Sequence, residues 1–132
     1  MGEADGIHDV TCRQMGVSDT RNQLYFVSNG QTSKPMESGD TLVEIDTLDN
    51  LLCGVDVTFI KMDIEGMECP ALRGAKKLIQ SYQPKLAICS YHSMEDMVFV
   101  PKLIAELNPV YHVYLRHYCD NAIEQSICYA VV

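Results

Sequence analysis

The stretch from Val57 to Tyr91 constrains the fold more than any other part of the chain. Val57 to Met62 is an apolar run rich in β-branched and aromatic residues, stopped by Asp63-Ile64-Glu65-Gly66, and it reads as a buried strand entering a turn. Met67, Ala71, Leu72, Ala75, Leu78, Ile79 and Tyr82 then recur at helical spacing, with Pro70 in the tolerated first turn and Pro84 enforcing a stop. Gly74 costs such a helix about 1 kcal/mol relative to alanine, so close packing against the sheet is the expected compensation. Lys85 to Tyr91 is again an apolar strand, and Leu103, Ile104 and Leu107 form the face of a helix that Pro101 can start. Val110 to Arg116 and Ser126 to Val132 read as two closing strands. Strands alternating with helices predict an α/β fold of parallel β-α-β units with helices packed on a sheet. The right-handed crossover rule makes 57–62 and 85–91 parallel neighbours or near neighbours.

The first half is less regular. Val10, Cys12, Met15 and Val17 mark a short strand, Leu24 to Ser28 a second, and Leu42 to Ile45 a third. Residues 29–40 shift to Gly, Ser, Thr, Asn and Pro, which predicts a mobile loop. Asp46-Thr47 can cap a short helix over Leu48 to Cys53. At 132 residues the chain supports one domain or part of one.

Its charge of −8 opposes attraction to nucleic acid or anionic lipid, so neither is an expected partner. No apolar stretch approaches the roughly 20 residues of a membrane-spanning helix. Glu3, Asp5 and Asp9 stand where an export signal would be basic and then apolar. The six cysteines form no C-x-x-C pair and read as reduced thiols, so the expected location is cytoplasmic.

Ligands of open α/β sheets bind beyond the carboxyl ends of the strands, here Asp63-Ile64-Glu65 and Tyr91-His92. Side chains alternate along a strand, so Lys61, Asp63 and Glu65 would share one edge if the extended conformation continued, with His92 joining from the next strand. A carboxylate beside a histidine fixes its tautomer and raises its basicity, which is a general-base arrangement for a hydroxyl acceptor. The same Asp-x-Glu and His set can hold a divalent metal, although none is assigned. Equally, Glu65 and Glu68 can simply complement a helix N-terminus, worth about 0.3 to 1 kcal/mol. His112 and His117 read as ordinary strand or loop histidines, and Tyr111, Tyr114 and Tyr118 as packing residues. No G-x-G-x-x-G or Walker loop is present, so the cofactor-binding residues are unknown.

Thr58-Phe59-Ile60-Lys61-Met62-Asp63-Ile64-Glu65-Gly66-Met67-Glu68, continuing to Leu72-Arg73-Gly74-Ala75, resembles the F-I-K-x-D-x-E-G-x-E…L-x-G-A signature of FkbM-type methyltransferases. Thr47-Leu48-Asp49, Pro84 to Ile88 and Cys128 to Val131 are similar to that family in order and spacing, and the likeness covers residues 7 to 132. The resemblance implies a class I, Rossmann-like methyltransferase, with a doubly wound, mostly parallel sheet, that uses S-adenosylmethionine and acts on a hydroxyl of a small molecule or glycan. It implies His92 as base, Asp63 as orienter and Glu65 as a second polar contact, with Lys61, Glu68 and Tyr91 on the substrate side. Cys89 and Ser90 stand where many members carry a carboxylate.

The first strand, its Gly-rich turn and the acidic residue that bind the cofactor in such enzymes have no counterpart. The chain is therefore expected to be the C-terminal half of the domain, lacking the N-terminal β-α-β. It is expected to bind S-adenosylmethionine weakly or not at all, and to leave the strand at 57–62 with an open edge through which it can self-associate. The alternatives are a non-catalytic, truncated module that binds a partner or glycan, and a metal-dependent hydrolase built on Asp63, Glu65 and His92.

Overall fold

The computed structural model describes residues 9–28, 33–36, 38–120 and 125–132. Eight strands, β1 (Gly16–Val17), β2 (Asn22–Ser28), β3 (Ser33–Met36), β4 (Thr41–Asp46), β5 (Phe59–Met62), β6 (Lys85–Cys89), β7 (His112–His117) and β8 (Ser126–Val131), form two sheets. Their orders are β1-β4-β2-β3 and β5-β6-β8-β7. Four helices accompany them: α1 (Leu48–Leu51), α2 (Glu68–Arg73), α3 (Lys76–Tyr82) and α4 (Asp96–Leu107).

The expected pair of parallel strands is present, with Ile60 opposite Leu86 and Met62 opposite Ile88. The doubly wound, mostly parallel sheet is not. Both sheets are mixed: β1–β4 and β5–β6 pair parallel, while β2–β3, β2–β4, β6–β8 and β7–β8 pair antiparallel.

Register shows which face of the second sheet is packed. Ile60, Leu86 and Ala130 lie side by side, as do Met62, Ile88 and Cys128, and all six belong to one buried cluster. The buried residues of α2, α3 and α4, among them Leu72, Ile79, Val100 and Ile104, join that same cluster, so these helices cover one face. Each fully buried Leu or Ile there contributes about 1.5–3 kcal/mol. On the opposite face Phe59, Lys61, Tyr114 and Arg116 are exposed. The outer edge of β5 has no strand partner among the described residues.

Several local expectations are corrected. Within 29–40, Ser33–Met36 forms β3 against β2, with residues 29–32 and 37 outside the described residues. The strand expected over Val10 to Val17 is confined to Gly16–Val17. Pro101 sits inside α4, which begins earlier because Ser93 Oγ accepts the Asp96 amide at 3.1 Å. Thr47 caps α1 as expected, its Oγ1 accepting from the Asn50 amide at 3.2 Å. The hydrogen bond from the Asn50 side chain, and then that from the Thr47 amide, hold the Asp46 carboxyl below the usual range.

The single helix expected over Met67 to Tyr82 is two helices, and Asp49 is the reason. Its amide takes the Gly74 carbonyl at 2.9 Å, and its carboxylate accepts the Lys77 and Leu78 amides at 3.0 and 2.9 Å. In an unbroken helix the Leu78 amide would bond the Gly74 carbonyl. Asp49 takes both groups instead, and so caps α3 from outside its own segment. Gly74 is also where the chain approaches most closely: a side chain there would run into the Ser18 carbonyl. The close packing expected at Gly74 is thus present, but at the break between two helices and against the segment after β1, not within a helix against the sheet.

Asp49→Ala should strip two amides of the first turn of α3 of their acceptors. The expected loss is about 0.5–2 kcal/mol, read from the shift of the urea midpoint, with an unchanged midpoint refuting the capping role.

Candidate functional site

The parallel pairing of β5 and β6 brings the segments after Met62 and Cys89 to one rim. After Met62 the extended conformation ends, and Glu65 (φ 57°) and Gly66 (φ 93°) take left-handed backbone. Glu65 adopts that conformation without the freedom of glycine, a strain that surrounding bonds must hold. Glu68 supplies them. Its carboxylate is only 1% exposed and accepts the Ile64 amide at 2.8 Å and the Gly66 amide at 2.9 Å.

His92 closes onto this turn. Its Nε2 is hydrogen-bonded to Asp63 Oδ1 at 3.1 Å and stands 3.1 Å from Glu68 Oε1. Its Nδ1 lies 3.7 Å from Glu65 Oε2. A ring nitrogen facing two carboxylates must carry a hydrogen, since a lone pair there would be repelled. In the neutral ring this leaves the acceptor lone pair on Nδ1, toward Glu65. The Tyr91 hydroxyl donates to both Asp63 oxygens, at 3.0 and 3.2 Å, and its ring lies 4.3 Å from that of His92. Burial, and then the bond to Asp63, push the Tyr91 hydroxyl up to about 12.

Exposure separates the members. Side-chain exposure is 42% at Asp63 and 35% at Glu65, against 9% at His92. The carboxylates form the open rim and the imidazole its floor.

Of the residues singled out in sequence, the structure brings Asp63, Glu65, Glu68, Tyr91 and His92 together. Lys61 stays apart: it is exposed and, among the described residues, forms no ion pair with Asp63 or Glu65. The alternation that was to align Lys61, Asp63 and Glu65 fails because the strand ends at Met62 and the turn redirects the residues beyond it. Glu68 is not a rim residue either, for its oxygens are occupied by two amides and approached by the histidine.

Asp63, Glu68 and His92 also present one ligand atom each within 4.8 Å of one another, the kind of set that can hold a metal ion. Burial, and then the nearby Asp63 charge, push the Cys89 thiol up to about 11, so it stays protonated beside the site. Ser90 is tied to the Ser126 carbonyl through its amide at 3.0 Å.

Other expectations resolve away from the rim. His117 Nδ1 pairs with Ser126 Oγ at 2.9 Å, and the buried Tyr111 hydroxyl donates to the Pro84 carbonyl at 2.6 Å. Tyr114 and Tyr118 are exposed, contrary to a packing role. All six cysteines are free thiols. Among the described residues no helix is long and apolar enough to cross a membrane.

Sequence reasoning missed the wall beside Glu65. Met15, just before β1, and Gly16, Val17, Leu24, Phe26 and Ile45 of the first sheet line a cleft of about 370 Å³ together with Ile64, Glu65 and Met67. The alternating apolar pair Leu24 and Phe26 was the available signal.

Fold and site together define an α/β protein with a carboxylate and histidine rim at the ends of two parallel strands. The chain belongs to the FkbM methyltransferase family: the methyltransferase FkbM domain model matches residues 10–118. Among solved structures it is similar to the methyltransferase FkbM from Methylobacillus flagellatus KT, at 28% identity and a TM-score of 0.71. That likeness covers 91% of this chain, which spans 28% of the length of the other. No curated protein sequence matches.

Glu68→Gln should place an amide NH₂ against a backbone N–H, leaving a buried donor unsatisfied. The expected cost is about 1–3 kcal/mol in urea unfolding, together with displacement of the His92 ring resonances. A variant with wild-type stability and histidine shifts would refute this organising role.

Proposed function

We propose that this chain supplies the acceptor side of an S-adenosylmethionine-dependent methyltransferase that acts on a hydroxyl. Family membership supports the reaction class. The hydroxyl is supported by one observation, the 3.7 Å separation of His92 Nδ1 and Glu65 Oε2. That distance is too long for a direct hydrogen bond, so the Nδ1 lone pair is left to accept the single proton of an acceptor hydroxyl.

In this reading the acceptor O–H donates to Nδ1, whose lone pair faces outward because Nε2–H is held by Asp63 and Glu68. As the oxygen becomes nucleophilic its proton passes to Nδ1, and the imidazolium formed is stabilised by the carboxylates around it. Tyr91 positions Asp63, and Glu65 is the carboxylate beside Nδ1 when it takes the proton. Such a base contributes about 10²- to 10⁴-fold. Lys61, which forms no ion pair with Asp63 or Glu65 among the described residues, takes no direct part. In the class I reading, the sheet β5-β6-β8-β7 is the part of the fold that flanks the acceptor.

The cofactor itself does not fit the described residues. Its methionine carboxylate calls for a glycine-rich turn leading from a strand into a helix N-terminus, and its ribose for an acidic side chain at a strand end. The turn after β5 leads into a helix, but its one glycine, Gly66, donates its amide to Glu68. That turn therefore has no free amide nest to offer an anion.

Calorimetric titration of the chain with S-adenosylmethionine should accordingly give no saturable binding at micromolar concentration, and a clear isotherm would contradict this assignment of parts. For the reaction, transfer of a radiolabelled methyl group from millimolar cofactor to hydroxylated acceptors should fall about 10²-fold or more in His92→Phe. Label recovered only on amines or thiols would rule out the hydroxyl reading. No transfer at all would favour a non-catalytic role.

A further inference from the structure

The cleft beside Glu65 is not needed for the proton transfer just described, and its chemistry is one-sided. Its walls are Met15, Val17, Leu24, Phe26, Ile45, Ile64 and Met67, with Glu65 the one charged side chain among them. At about 370 Å³ it falls at the lower end of the roughly 300–1,000 Å³ range of small-molecule sites. Gly16 holds the wall back, since a side chain there would meet Ile45 Cγ2 at 2.7 Å. Glu65 belongs both to this wall and to the His92 cluster, so the polar end of the cleft is the proposed reaction point.

We propose that this cleft seats the body of the methyl acceptor, which is therefore an alcohol carried on an apolar skeleton and not a glycan. The inference rests on the hydroxyl-methylation reading above and narrows its substrate. A sugar ring placed here would bury several hydroxyls against methionine, leucine and phenylalanine side chains, each unpaired group costing about 1–3 kcal/mol. An alkyl or aryl body loses nothing there and gains about 25 cal/mol for each Å² removed from water. Its one hydroxyl then reaches the polar end of the cleft, where His92 Nδ1 stands 3.7 Å from the Glu65 carboxylate.

The methionines provide a readout without any cofactor. Met15 and Met67 line the cleft, whereas Met62 is in the core and Met94 is exposed away from it. In the chain labelled with [methyl-¹³C]methionine, 4-phenyl-1-butanol should shift the Met15 and Met67 methyl signals saturably and leave Met62 and Met94 in place. Methyl α-D-glucopyranoside should shift none of them. Leu24→Trp, which fills the cleft from the β2 side, should abolish the alcohol response.

Should that variant not fold, nuclear Overhauser contacts from the phenyl protons to the Met15 and Met67 methyls of the wild-type chain decide the matter. Unmoved methyls with the alcohol, or an equal response to the glucoside, would overturn the proposal. So would a response to S-adenosylhomocysteine in place of the alcohol, which would make the cleft a cofactor wall. Saturable alcohol binding without methyl transfer in the radiolabel assay would instead sink the reaction and leave the cleft assignment standing.

Discussion

The Glu68 carboxylate is the constraint around which the site is organised. It is buried, and a buried charge persists only when its oxygens are satisfied. Two amides from the Ile64 to Gly66 turn satisfy it, and the approach of His92 adds a third favourable neighbour. The same bonds hold Glu65 in left-handed backbone and keep the imidazole against the rim. One side chain at the start of α2 thus sets the shape of the turn, the tautomer of the histidine and the direction of the rim carboxylates.

This arrangement has an electrostatic consequence. Asp63, Glu65 and Glu68 converge on one ring, and like charges so close repel unless something positive lies between them. The hydrogen that His92 Nε2 presents to Asp63 and Glu68 offsets part of that repulsion. A divalent cation on Asp63, Glu68 and His92 would relieve the same repulsion, but it would compete with the Ile64 amide for Glu68 Oε1 and with Tyr91 for Asp63.

Much of the second half was legible in sequence because its signals are periodic. The apolar runs and helical spacing placed β5, α3 and β6, and the crossover rule paired β5 with β6 correctly. What escaped prediction depends on contacts distant in sequence. The split between α2 and α3 comes from Asp49, 25 residues before Gly74, taking that glycine's carbonyl. No periodicity within Met67 to Tyr82 carries that information. Element alternation gave parallel units and the resemblance a doubly wound sheet, and neither reveals that β8 enters antiparallel between β6 and β7. At the site, the grouping of Asp63, Glu65 and His92 was legible from strand ends. The exclusion of Lys61 was not, because it turns on where the strand stops and on a positive φ at a glutamate.

The two sheets meet the site in different ways, and this difference bears on specificity. The second sheet delivers every ionisable group of the rim, through the segments just beyond β5 and β6. Among the described residues the first sheet delivers no ionisable group to the rim, only the apolar wall of Val17, Leu24, Phe26 and Ile45, extended by Met15 just before β1. The ionisable groups and the apolar wall therefore sit on separate elements, which meet along Ile64, Glu65 and Met67. Substitutions on β2 can reshape what the cleft admits without moving the hydrogen bonds that hold His92, because none of those bonds comes from the first sheet. Loops and edge elements that carry recognition beside a fixed reaction centre are how one fold serves many substrates. Here the division is visible within 132 residues.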